Sequence, residues 1–339
     1  MLATGIRVTV IFVTSDAKTL SCSRKGGFVL VKCPGGEENL GANTGLLTTE
    51  LIRSSPDVIH IFTGASTLLG MFALLCGRVF RKPSAMSVFG REDVALPSRI
   101  SRIFFLMSTS LATSISTNSE ATRDLLPPRV LDKSHVLLGG SDWMPASAPA
   151  VTRDSSVLFV GRLVRRKGVD DLLHAFAEVR SRIADAKLVI VGDGPERENL
   201  ERMVAELGLS GAVRFTGMLR GERLHEEYEN CDVFVLPSKA VQEDAASEGL
   251  GLTLIEAAMH GKPLVGTTHG GIPEVIQDGV NGLLVPPNDS HLLAEALTRL
   301  VKDKELARKM GENSLKSAQS LYTWKAATNR LLQSYGGRV

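Results

Sequence analysis

The chain predicts an α/β fold made of doubly wound parallel sheets in two domains. Short apolar runs of strand length alternate with stretches that carry the helical 3.6 period. Most clear strands end in a glycine-bearing or polar loop before the next helix, which is the layout of strand–crossover–strand units. The length, 339 residues, suits two domains of ordinary size.

In the first half, residues 7–14 and 57–62 read as strands, and 67–80 and 119–126 as helices. Residues 108–117 are rich in Ser and Thr and match neither period. At 141–151 the composition turns to Ala, Pro and Ser, which marks a linker. The first domain is therefore expected at 1–148, the second at 149–320, and a closing helix at 321–339 packing back on the first.

The second half is plainer. A strand at 157–160 leads to a helix at 167–182, with apolar spacing at Leu172, Leu173, Phe176 and Val179. A strand at 187–191 meets Gly192-Asp193-Gly194-Pro195 and a helix that runs to Leu207. Next come strand 213–215, helix 222–229, strand 233–236, helix 253–260 and strand 263–265. Helices at 290–302, 304–320 and 324–333 close the chain.

Composition narrows the function. The chain is 43% hydrophobic and 22% charged, so a large core is expected and disorder is not. Its net charge of +2 argues against nucleic acid as the main partner. The first 150 residues carry 15 basic and 11 acidic side chains, a mild excess that suits an anionic acceptor or a membrane surface. Cys22, Cys33, Cys76 and Cys231 have neither metal-ligand nor disulfide-framework spacing, and the apolar start is too short for a secretory signal. A cytoplasmic protein is expected. The apolar run 68–76 is too short to cross a bilayer and reads as a buried helix. Arg78, Arg81 and Lys82 follow it, which leaves a peripheral, membrane-facing helix end at the cytoplasmic face as the alternative.

The most informative stretch is Ser247-Glu248-Gly249-Leu250-Gly251-Leu252-Thr253-Leu254-Ile255-Glu256. Glu248 lies in a glycine loop, and Glu256 about one turn into a helix that begins near Leu252. Free N–H groups and the helix dipole make such a start an anion site. A carboxylate on each side suits a diphosphate flanked by hydroxyls, which is the layout of a sugar nucleotide. One strand-end away, Gly161-Arg162-Leu163-Val164-Arg165-Arg166-Lys167-Gly168 offers cations to a phosphate. Arg162 and Lys167 are the expected contacts, and Arg165 and Arg166 are expected to face solvent. His269-Gly270-Gly271-Ile272-Pro273-Glu274 is either a structural turn or a loop whose backbone nears the ligand. Gly192-Asp193-Gly194 fails the dinucleotide spacing because position 197 is Arg197, so it reads as a tight turn. His60 reads as a structural histidine, with a cleft-facing role as the alternative. No histidine sits at metal-ligand spacing, so no metal site is expected.

These stretches, taken in order, resemble the GT-B glycosyltransferases, specifically the large retaining family called family 4. The likeness extends to Phe215-Thr216-Gly217, Cys231-Asp232-Val233-Phe234-Val235-Leu236-Pro237-Ser238, Gly261-Lys262-Pro263, Gly279-x2-Gly282-Leu283-Leu284-Val285 and Tyr322-Thr323-Trp324. It covers roughly 140–335 and is fainter at Pro56-Asp57-Val58-Ile59-His60 and Gly140-Ser141-Asp142. The resemblance implies two Rossmann-like domains facing a cleft, with the nucleotide held by the second. It implies a hexosyltransferase, with Glu248, Arg162 and Lys167 as the catalytic set. Gly161, Gly249, Leu250, Gly251, Leu252, Glu256, Gly270 and Gly271 would complete the donor site. Glu248 would take hydroxyls of the transferred sugar and Glu256 those of the ribose. A UDP- or GDP-sugar would be a co-substrate, with no cofactor or metal, and the acceptor a glycan or a lipid-linked glycan.

Three departures from the family pattern stand out. The chain starts at the pattern's second strand, Phe89-Gly90 stands where relatives often carry His-Gly, and the first domain is reduced. A reduced acceptor domain fits a large or membrane-bound acceptor, a partner subunit, or loss of activity; a homo-oligomer is the other partner expected. The alternative function is therefore an inactive sugar-nucleotide binder of the same fold. A nicotinamide-dependent oxidoreductase, suggested by doubly wound sheets alone, is opposed by the failed glycine spacing.

Overall fold

A computed structural model describes residues 44–45, 48–49, 51–53, 57–61, 68–90, 94, 99–141, 155–241 and 248–335, and the backbone of 8–14, 21–25 and 28–34. Residues 142–151 of the expected linker and Ser247 lie outside the described residues.

The second domain is a six-stranded parallel sheet in the order β10-β9-β8-β11-β12-β13. Its strands are β8 (Ser156–Val160), β9 (Lys187–Val191), β10 (Val213–Gly217), β11 (Val233–Leu236), β12 (Leu264–Thr267) and β13 (Gly282–Val285). β8, β11 and β12 are buried along their whole length, as expected for parallel strands covered on both faces. The Val, Leu, Ile and Phe content that marked these runs in the sequence is that buried surface. Strand β13 was visible only as a motif, because its glycine weakened the strand pattern.

Helix α4 (Val169–Arg182) buries Val169, Leu172, Leu173, Phe176 and Val179, one stripe at helical spacing. It packs against α9 (Ser290–Lys302). Crossovers α5 (Arg197–Glu206), α6 (Glu222–Asn230), α7 (Leu252–Met259) and the short α8 (Ile272–Val275) join the remaining strands. Helix α10 (Lys304–Leu321) lies against α7. Asp289 and Asp303 cap α9 and α10, each accepting from the N–H three residues on.

The first domain centres on a four-stranded parallel sheet, β4-β5-β6-β7, made of Ile59–Ile61, Ser84–Val88, Ser114–Thr117 and Ser134–Val136. A separate three-stranded sheet pairs β1 (Val8–Thr14) parallel to β3 (Phe28–Pro34), with β2 (Ser21–Lys25) antiparallel on its far side. Strands β2, β3, β5 and β7 were not legible from the sequence. Residues 108–117, which matched neither period, are the end of α2 (Arg99–Leu111) and the whole of β6. β6 is buried yet built largely of Ser and Thr, and Ser87 Oγ and Ser116 Oγ lie 2.8 Å apart. Helix α1 spans Leu68–Val79, and the helix expected at 119–126 shortens to α3, Glu120–Arg123.

The closing helix α11 (Trp324–Ser334) touches the first domain at its end, where Tyr335 Oη meets His60 Nδ1 at 2.5 Å. His60 Nε2 meets Ser87 Oγ at 2.8 Å, so His60 is a bonded structural histidine. Burial lowers its pKa to about 4, and the ring stays neutral. At the other end of the same helix, Ser141 N donates to Tyr322 O at 2.8 Å.

Candidate donor-binding site

In the second domain the chain order runs outward from β8 to β10, then returns to β11 and runs the other way to β13. The carboxyl ends of β8 and β11 flank that reversal, where ligands bind in open α/β sheets. The loops after these two strands are locked together. Gly168 has φ 65°, and a Cβ there would fall 2.0 Å from Pro237 O, so only glycine permits the approach. Lys239 N donates to Arg166 O at 2.8 Å across the same seam. Between these loops a short 3-10 turn, Arg165–Lys167, aims its side chains in different directions.

That turn sorts the four cations. Lys167 Nζ donates to Glu248 Oε2 at 2.5 Å, and Ser238 Oγ donates to the same oxygen at 2.8 Å. Arg166 stands 3.8 Å from it and is largely buried. This corrects the expectation that Arg166 faces solvent: the tight turn rotates it inward with Lys167. Arg165 does point out, paired at 3.6 Å with Glu196. Arg162 is exposed and forms no ion pair with a described residue. Sequence alone ranked Arg162 above Arg166, because nothing in a run of basic residues reports which way a 3-10 turn faces.

Glu248 is only 8% exposed. Burial alone would raise its pKa, but Lys167, Ser238 and Arg166 outweigh that and hold the carboxyl below its usual value. All three partners crowd Oε2, and Oε1 has no partner among the described residues. An ionised carboxylate with one open oxygen is suited to accept hydroxyl hydrogen bonds.

Gly249, Leu250 and Gly251 carry the chain from Glu248 into α7, with Gly251 in the left-handed region at φ 74°. Leu250 is buried, whereas Leu252 is exposed at the helix start and reaches toward Gly139 of the first domain. Gly249 sits against that domain too: a Cβ there would lie 2.6 Å from Asn118 Nδ2 and 2.7 Å from Phe89 O. Phe89 thus forms part of the wall through its backbone, and its ring is 40% exposed.

Glu256 lies on α7 one turn in, half-buried, and accepts from Tyr228 Oη at 2.7 Å. Burial first, then the Glu256 charge, push the Tyr228 phenol well up. The two glutamates share one loop and helix but have different neighbours: Glu248 meets the cations, Glu256 meets α6.

Gly270 and Gly271 come to the same place for a packing reason. Cβ atoms there would fall 2.2 Å from Glu248 O and 1.9 Å from Gly249 O. Gly271 N donates to Glu248 O at 3.0 Å, so this N–H is spent on the loop and is not open to a ligand. Gly161 is enclosed in a similar way, since Gly192 packs on its carbonyl. The turn Gly192-Asp193-Gly194 braces the cation loop from behind, with Leu163 N donating to Asp193 O at 3.0 Å.

Glu274 caps a helix in the other domain. Its carboxylate accepts from Glu120 N at 2.8 Å and Ala121 N at 2.9 Å, the start of α3. Asn118, three residues before Ala121, was not foreseen as a wall of this site. Among the described residues no group of three His, Cys, Asp or Glu side chains is placed to hold a metal.

The family model for glycosyl transferases group 1 matches residues 144–317. A GDP-mannose-dependent α-(1-6)-phosphatidylinositol monomannoside mannosyltransferase of Mycolicibacterium smegmatis is 36% identical over 182 residues, covering 54% of this chain and 48% of that protein. Sulfoquinovosyl transferase SQD2 of Arabidopsis thaliana is 34% identical over 312 residues, covering 84% of this chain and 57% of its own. The chain thus spans about half the length of the curated relatives it matches. In fold it is similar to Anabaena HepE, solved with UDP and glucose, at a TM-score of 0.72 and 20% identity over 91% of this chain and 86% of that one.

Proposed function

The chain belongs to the glycosyl transferases group 1 family, and on that premise we propose that it moves a hexose from a UDP- or GDP-sugar to a glycan or glycolipid acceptor with retention at the anomeric carbon. The observation that carries this reading is the buried Glu248 carboxylate bound through one oxygen to Lys167 and Ser238, at the sheet's switch point.

The chemistry follows from charge. The bond between the sugar's anomeric carbon and the β-phosphate oxygen breaks, leaving negative charge on the diphosphate and positive charge on the ring. Lys167, Arg166 and the exposed Arg162 would stabilise the first without a metal ion. The α7 start and its free N–H groups add to them. Oε1 of Glu248 would accept hydroxyls of the departing sugar and hold it in register. The acceptor oxygen bonds to the anomeric carbon on the face that the diphosphate leaves, and its proton passes to a leaving phosphate oxygen. Glu248 is held ionised, so it binds and orients and does not donate a proton. Glu256 would take the ribose hydroxyls after sharing or releasing Tyr228.

Several relatives carry lipid or glycan acceptors in their names, the phosphatidylinositol mannoside enzyme among them. That favours an acceptor presented at the cytoplasmic face of a membrane. Among the described residues no helix is long and apolar enough to cross a bilayer.

The test is donor turnover by the purified chain. UDP- or GDP-sugar hydrolysis above background, lost in Glu248→Ala, supports transfer. Nucleotide binding by thermal shift with no turnover of any sugar nucleotide would favour the inactive binder.

A further inference from the structure

Glu256 is fixed in place by its own neighbours. On α7 the buried residues are Leu254, Ile255, Ala257, Ala258 and Met259, which leaves Leu252, Thr253 and Glu256 accessible. Those three form one helical stripe, so Glu256 shares a face with the helix start that adjoins Glu248. Its carboxylate accepts from Tyr228 Oη through Oε2 at 2.7 Å. Among the described residues no cation pairs with Glu256, and Oε1 takes no hydrogen bond.

The donor is itself held. Tyr228 is buried, and its ring stacks on His260 with centroids 4.8 Å apart and leans on Phe234 at 5.7 Å. Burial, then the Glu256 charge, keep the phenol protonated, so it meets the carboxylate as a donor. Thr253 O, at 3.5 Å, is too far to compete for that proton. His260 braces the other side. Its Nδ1 lies 2.7 Å from Glu256 O, and a carbonyl only accepts, so Nδ1 carries the ring proton. Burial lowers the His260 pKa to about 4, so the ring is neutral and Nε2 accepts from His225 Nδ1 at 3.2 Å. A stack of His225, His260 and Tyr228 thus ends on one oxygen of Glu256.

We propose that Tyr228 is a positioning residue that aims Glu256 at a ribose 2′-hydroxyl, so that the site takes ribonucleoside diphosphates and rejects their 2′-deoxy forms. The inference deepens the donor-site reading and rests on it. A carboxylate offers about four lone-pair positions, and Tyr228 occupies one. The open Oε1 and the rest of Oε2 can receive two neighbouring hydroxyls without displacing the phenol. A loose glutamate would lose rotamer freedom when it bound them, whereas here that freedom is already lost on folding. A 2′-deoxyribose would leave a prepared acceptor unfilled, and sites built to bond a hydroxyl reject analogues that lack it.

The experiment is calorimetric binding of UDP, GDP, their 2′-deoxy forms and inorganic pyrophosphate to the full chain. The parent should prefer the ribose form by about 10- to 150-fold, the range for a hydrogen bond to a charged group. Tyr228→Phe removes the hydroxyl and keeps the ring between His260 and Phe234. It should cut that preference about 2- to 10-fold, the effect of ordering one flexible side chain on binding. Pyrophosphate, which reaches the cations and not Glu256, should bind this variant as it binds the parent. In a Glu256→Ala background, adding Tyr228→Phe should change the preference no further. An unchanged preference in Tyr228→Phe overturns the proposal, and a larger one does so by showing that the phenol competes with ribose. A loss shared equally by ribose, deoxyribose and pyrophosphate marks a merely structural tyrosine and also overturns it, as does a further fall in the Glu256→Ala background. A parent that binds neither UDP nor GDP removes the donor site and this inference together. A parent that binds one of them, with the preference untouched by Tyr228→Phe, removes this inference alone.

Discussion

At the scale of single residues, the site turns on the sharing of Glu248 Oε2. Lys167 lowers the Glu248 pKa and, on the function proposed above, would supply a cation for a diphosphate, so its loss should have two separate signatures. Lys167→Ala should weaken nucleoside diphosphate binding by about 10- to 100-fold, the range for a lost charge-assisted hydrogen bond. It should also move the acid limb of the kcat/KM profile to higher pH, because Glu248 then titrates nearer its burial-raised value. Calorimetry and a pH–rate series read the two effects apart, and unchanged nucleotide affinity would remove Lys167 from the phosphate site. Ser238→Ala should be milder, about 1 kcal/mol. Glu248→Gln should lower kcat at least 100-fold while leaving nucleotide affinity within a few fold. Equal losses in both would mean that Glu248 positions the nucleotide as well as the sugar.

At the scale of elements, the strand–loop–helix units of the second domain were legible because burial on both faces writes unbroken apolar runs. Phe159-Val160-Gly161 and Leu188–Val191 needed no further information. In the first domain β2 and β6 escaped because Ser-Cys-Ser-Arg-Lys and Ser-Ile-Ser-Thr carry too little apolar contrast for a period to appear. Glu248, Lys167 and the glycine loop were legible because their chemistry is local. Arg166 and Asn118 were not, since a turn's rotation and a domain contact leave no mark on spacing. Gly168 joins the two levels: its φ of 65° and contact with Pro237 O hold the cation loop against the strand that bears Ser238. Gly168→Ala should cost about 1–3 kcal/mol through left-handed strain alone, with more from the clash. A drop in melting temperature together with weaker nucleotide binding is expected. A stable variant with native affinity would show that the loop can relax without consequence.

For the molecule as a whole, three contacts among the described residues join the domains near the site, Leu252 beside Gly139 being one. Glu274 caps α3, and Gly249 lies against Asn118 and Phe89. Glu274→Ala should therefore raise the acceptor KM more than it weakens nucleotide binding, because it loosens one wall and leaves the cations in place. Equal changes in both would place Glu274 at the nucleotide instead. Stability should depend on pH through His60 and His260, whose pKa values burial lowers to about 4. The unfolded chain binds these protons near 6.5, the folded one does not. Stability is thus complete above about pH 6.5 and falls as pH drops toward 4. Urea midpoints across that window should show the slope, and His60→Gln should make it shallower.

The chain leaves the first domain at Ser141 and comes back to it at Tyr322 and Thr323, and these two crossings are themselves bonded: Ser141 N donates to Tyr322 O, and Ser141 bridges to Thr323. Two passages stitched at one point act like the spine of a book. Were the halves to part during the proposed transfer, that stitch would favour turning about a single line over sliding.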